Sequence, residues 1–187
     1  ELINEKYKNT AVSVISIGKK SSENFEKSGL RIVSKEDSIF TNVNFERVSI
    51  IAEKIMSLYV NGNYDKVELV YNQFKNAATQ VVITENFLPV QSSQKNNGSE
   101  SKNYLFEPTK KEIVEKLIPK SLKTQLYKAI LDSHASEHGA RMTAMHKATD
   151  NASELKKELT LTYNKARQAA ITGEILEIVG GAEALNS

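Results

Sequence analysis

From about Ser121 to Leu185 the chain reads as one very long helix, and this stretch limits what the protein can fold into more than any other. At 1.5 Å per residue it reaches on the order of 100 Å. A domain of a hundred residues is only about 30 Å across, scaling from its radius of gyration, so most of the helix has to project beyond it. Within the stretch, Met145, Ala148, Ala152, Leu155, Leu159 and Ala166 recur at alternating steps of three and four, with Thr162 filling the gap. Two small or apolar positions in seven is the period that winds helices into a left-handed coiled coil. Packing on the rest of the chain is the duller alternative, and the length of the helix weighs against it. Such a seam demands a partner helix, and no other segment obviously supplies one.

Composition narrows the function classes. Of the 187 residues, 40% are apolar and 26% charged, an ordinary balance for a globular protein. The 25 basic and 23 acidic groups leave a net charge of +2, too little to make nucleic acid or an anionic membrane the default partner. Cysteine is absent, which removes disulfides, thiolate metal sites and thiol catalysis together. No apolar run approaches the length of a membrane span, and no signal peptide opens the chain.

The first hundred residues alternate strand and helix signals. Ala11 to Ile17 is β-branched and almost continuously apolar, as suits a strand covered on both faces. Gly18 ends it, Lys19 to Ser28 reads as a short helix, and Leu30 to Val33 resumes as a strand. Phe45, Val48, Ile51, Ala52, Ile55, Met56 and Tyr59 then repeat at helical spacing until Gly62. Lys66 to Tyr71 and Gln80 to Thr84 are two further strands, and Tyr104 to Phe106 a last short one before Pro108. The polar stretch 91–102 has no periodicity and reads as a mobile surface loop. Lys110 to Ile118 is an amphipathic turn or helix that Pro119 is expected to interrupt or kink. The expected class is α/β: a small, three-layer-like domain with a partly parallel sheet over residues 1–107, then a helical region over 108–187 whose long helix runs from about 121 to 185.

Two short motifs invite catalytic readings. His134 to His138 matches the H-x-x-E-H pattern, which puts two imidazoles on one helical face with Glu137 as a general base. The third ligand and the concave pocket that zinc catalysis needs have no counterpart in the sequence. Gly18-Lys19-Lys20-Ser21 follows a strand and opens a helix, where phosphate loops sit. The upstream glycine of that motif is missing, because Ser13 stands there, and Lys20 separates the lysine from the serine. Neither motif amounts to a catalytic constellation, and no catalytic residue, cofactor or metal ligand is expected.

Three blocks of wording carry a family resemblance: ASEHGARMTAM from Ala135, ATDNASEL from Ala148, and LTLTYNKARQAAITGEILEIVGGAEAL from Leu159. They resemble the carboxy-terminal helix of the gamma subunit of F-type ATP synthase. Upstream, VSVISIGKKSSENFEKSGLRIV, ELVYNQFKNAATQ and YLFEP are similar to the same family's α/β domain in order and spacing. The resemblance implies a rotating central shaft without catalytic residues of its own. In that family this helix pairs with an amino-terminal helix as an antiparallel coiled coil, inside a ring of alpha and beta subunits. The α/β domain rests beside the epsilon subunit on the membrane c-ring. The implied place is peripheral, on the cytoplasmic face of a bacterial inner membrane or the matrix side in a mitochondrion. The amino-terminal helix and the strand after it are expected before Glu1.

The resemblance also marks residues on the matching helix. Arg167 and Gln168 match a pair that meets a loop of one beta subunit, and Thr172 falls in the same patch. Glu137 and Arg141, one helical turn apart, match positions near the beta subunit's acidic lever; a plain i,i+4 ion pair accounts for their spacing equally well. Gly139 and Gly173 depart from the family, standing where bulkier helix formers are usual. The competing readings are a small α/β enzyme binding a nucleotide or metal at Lys19 or the histidine pair, and a free coiled-coil adaptor.

Overall fold

A computed structural model describes residues 2–8, 10–90, 107 and 109–186. A short helix α1 (Leu2–Lys6) leads into strand β1 (Ser13–Ile17), helix α2 (Lys19–Lys27) and strand β2 (Arg31–Glu36). A 3-10 turn (Ile39–Thr41) and helix α3 (Phe45–Val60) follow, then strands β3 (Val67–Asn76) and β4 (Thr79–Leu88) and helix α4 (Lys110–Asn186). β1 and β2 pair in parallel through the α2 crossover, and β3 and β4 form an antiparallel hairpin. Among the described residues these are two separate two-stranded ladders. The expected strand Tyr104–Phe106 and the whole of the loop 91–102 lie outside the described residues.

Local chemistry explains most boundaries. Asn44 caps α3: its Oδ1 accepts from the Arg47 amide at 2.9 Å, satisfying a free donor of the first turn. Val48, Ile51, Ala52 and Ile55 form the buried stripe of α3, and Gly62 closes it with φ of 73°, a conformation costly for any residue with a Cβ. Both hairpin strands are ten residues long, outrunning their apolar wording. The added part of β3, Asn72 to Asn76, carries amides and a lysine, and β4 runs past Thr84 to Phe87 and Leu88. Cross-strand pairing extends β3, from Asn72 against Val82 to Asn76 against Thr79, whereas burial of Phe87 and Leu88 anchors the added end of β4.

α4 corrects an expected boundary. It begins at Lys110, where the Thr109 hydroxyl accepts from the Glu112 amide at 3.3 Å, and runs through Pro119 without a break. The proline removes one backbone hydrogen bond. The turns beyond it are held by tertiary burial, since Leu122, Leu126, Ala129 and Ile130 are all at most 6% exposed.

The chain divides into two compact units, residues 1–137 and 138–187. The first holds the core: Ile39, Val48, Ile51, Ile55, Phe87 and Leu88 close on Leu122, Leu126 and Ile130 of α4. α1 is tied to β3, as Lys6 and Lys66 both donate to Oε1 of Glu68, at 2.8 and 2.6 Å. The second unit is the remainder of α4.

Candidate partner-binding surface

In the second unit almost every side chain faces outward. The seam residues Met145, Leu155 and Leu159 are 63, 56 and 61% exposed. Ile171, Ile175, Ile178 and Val179 continue the apolar surface beyond the seam read from the sequence; their steps of four, three and one were its signal. Helical hydroxyls are satisfied inside the helix. Thr149, Ser153, Thr160 and Thr162 each donate to the carbonyl four residues before, at 2.8 to 3.0 Å. Thr162 therefore keeps its place in the seam without an unpaired polar group, its hydroxyl tied to Glu158.

Arg167, Gln168 and Thr172 lie exposed on this unit. Gln168 and Thr172 stand one turn apart on one face, and the Thr172 hydroxyl donates to the Gln168 carbonyl at 2.9 Å. That leaves the Gln168 amide and the Arg167 guanidinium to meet outside groups, and a guanidinium offers five donors in a fixed fork. Glu137 and Arg141 are likewise exposed on α4.

The two enzyme-like motifs resolve into local structure. At the β1–α2 turn, Gly18 has φ of 103°, and a Cβ there would come within 3.0 Å of the Phe40 ring. Ser21 donates to the Gly18 carbonyl at 2.8 Å, and the buried Ser22 donates to Asp37 at 2.5 Å. The Ser16 hydroxyl completes the cluster, 2.7 Å from Ser21. These hydroxyls are committed to the protein, and the Asp37 carboxylate disfavours a phosphate beside them. Lys20 points to Glu23 at 3.2 Å. In the other motif, the His134 ring stacks on Phe40 with centroids 5.5 Å apart. No group of three or more His, Cys, Asp or Glu among the described residues could hold a metal ion.

Nor is any described helix long and apolar enough to cross a membrane. What the first unit presents is a cored α/β body, and what the second presents is a helix with an uncovered apolar stripe. The family model described as ATP synthase matches residues 1–185. The ATP synthase gamma chain of Flavobacterium johnsoniae is 59% identical over 96% of this chain and 63% of its own length. The chain belongs to the ATP synthase gamma family. The gamma chain of Cytophaga hutchinsonii is 54% identical over the whole of this chain and 65% of its own. The chain thus spans less than two thirds of the length of the curated relatives it matches. A chain in a cryo-EM structure of the Euglena gracilis mitochondrial ATP synthase (OSCP/F1/c-ring, rotational state 3) shares the fold. Its TM-score is 0.65 at 22% identity, covering 97% of this chain and 64% of that one.

Proposed function

We propose that this gamma chain is part of the central-stalk rotor of a rotary ATP synthase. It carries rotation between an ion-driven membrane ring and the catalytic beta subunits, and makes and breaks no covalent bonds itself. The observation that carries this reading is the exposed stripe on the second unit, in a chain of this family. Leu155 and Leu159, each more than half exposed, leave an apolar seam at coiled-coil spacing that only another helix can cover economically. An amino-terminal helix of the same subunit is the proposed occupant. The alpha and beta ring, the epsilon subunit and the membrane c-ring are the proposed partners. The assembly would be peripheral to the cytoplasmic face of a bacterial membrane.

In this reading Arg167, Gln168 and Thr172 form a polar, breakable contact with one beta subunit at a time, and Glu137 and Arg141 meet its acidic lever. Charge-assisted hydrogen bonds suit a contact that must be remade at each step, being directional and strong without needing apolar burial. The test is reconstitution. The complete gamma chain carrying this sequence, mixed with alpha and beta subunits, is expected to restore ATP hydrolysis, while the chain by itself hydrolyses none. Turnover by the purified chain alone would overturn the reading. Arg167→Ala is expected to lower ATP-driven ion pumping more than hydrolysis, measured on the same reconstituted vesicles.

A further inference from the structure

The root of α4, which lies inside the first unit, is attached to the hairpin and to α3 in a way its apolar stripe does not require. Taken at about 100° per residue, Leu122, Leu126, Ala129 and Ile130 cover roughly 100° of the helix surface. Polar or aromatic contacts stand just outside both edges of that stripe. On one flank Gln125 donates to Oε1 of Glu85 at 2.9 Å and to the Asn86 carbonyl at 3.3 Å. On the same flank Ser136, only 1% exposed, donates to the Asn72 carbonyl at 3.1 Å. On the opposite flank Lys123 pairs with Glu53 of α3 at 2.5 Å, and His134 stacks on Phe40. In both rows the two attachments are separated by about three turns, roughly 16 Å along the axis. One row is fixed to the β3–β4 hairpin, the other to α3 and the 3-10 turn.

We propose that these two rows key α4 to the α/β unit, fixing the helix's angle about its own axis so that torque enters the helix here. Apolar contact is non-directional, so a stripe alone resists separation better than it resists roll. Hydrogen bonds weaken steeply with distance and angle. A roll of about 20° moves an atom 5 Å from the axis by roughly 2 Å, enough to break the contacts of one row while pressing the other into its neighbours. Rows on both flanks therefore oppose roll in both directions. The hairpin anchor is itself braced, because the Tyr71 hydroxyl holds the second oxygen of Glu85 at 3.0 Å. Gln125, Ser136 and Lys123 act here as positioning residues, and the inference rests on the rotor reading above.

The test uses the complete gamma chain in the assembled complex, with the alpha and beta ring fixed to a surface and a bead on the α/β unit. Gln125→Leu with Ser136→Ala removes one row and keeps its volume. The angular variance of the paused bead is expected to rise by about 1.5- to 2-fold, as when one of two independent restraints is lost. Lys123→Met is expected to widen it too, and Lys123→Arg, which keeps the ion pair with Glu53, to leave it at the starting width. The Lys123 pair of variants decides the matter if the double variant does not assemble. Unchanged variance in the methionine variant, or equal widening in methionine and arginine variants, would overturn the key. A bead that never turns with the unmodified chain overturns the rotor reading, and the key with it.

Discussion

Glu68 sits on β3 beside a charged group, Lys6, that lies far from it in the chain. Burial alone would push its carboxyl up, but the hydrogen bonds from Lys6 and Lys66 outweigh burial and bring it down to about 2. A carboxyl held low in the folded state gives stability above the unfolded value near 4.5, and that stability is lost as pH falls from there toward 2. Urea midpoints measured from pH 6 to pH 2.5 should therefore fall, and Glu68→Gln should flatten the decline. Tyr71 acts at the other end of the scale. Burial, then the hydrogen bond to Glu85, push its hydroxyl up to about 12. Its contribution is complete below pH 10 and is lost as pH rises through 12, so Tyr71→Phe should blunt the alkaline loss in the same measurement. Neither group was legible from the sequence. Lys6 and Glu68 are distant in the chain, and only the docking of α1 on β3 brings them together.

At the scale of elements, α4 changes character along its length. Its root is held by burial, so Leu126→Ala, at a site only 2% exposed, should cost about 2–5 kcal/mol in chemical denaturation. Its far part is exposed almost throughout, with hydrogen bonds that run along the helix itself, as from Thr172 to Gln168. Beyond the helix's own neighbouring backbone, no group among the described residues lies within 4 Å of a Cβ built on Gly173, so Gly173→Ala should stabilise that part by about 1 kcal/mol, read as slower amide hydrogen exchange around residue 173. Equal exchange in both chains would mean that the glycine already sits in a restrained backbone. The apolar period made both helices legible, α3 through its 3.6-residue stripe and α4 through the two-in-seven seam that starts at Met145. Lys110 to Ile118 was legible as a turn or helix, but its continuity with the long helix was not. Pro119 is a strong local stop signal, and it was overruled by packing on its far side and by the Thr109 cap on its near side.

At the scale of the whole molecule, the described part of one unit buries a core and the other leaves its apolar positions exposed. The first closes its core on itself, whereas the second leaves Leu159, Ile175 and Leu185 61, 54 and 89% exposed. An apolar surface of that extent drives association when its proper cover is absent. Without partner subunits the purified chain should therefore self-associate reversibly, with light-scattering mass rising with concentration. Leu155→Glu with Leu159→Glu should hold it monomeric, and concentration-independent mass in the unmodified chain would contradict that.

The sequence by itself determined the α/β alternation, the α3 stripe, the long helix and its seam, because each is a short-range repeat that a single window contains. It also carried the family likeness through consecutive wording such as KARQAAIT. Only the tertiary structure decided that α4 starts before its proline, that the hairpin strands run to ten residues, that the serines beside Gly18 are turned inward toward Asp37, and that Glu68 is clasped by two lysines. Those outcomes depend on groups far apart in the chain, whose energies exist only once the core has brought them within reach.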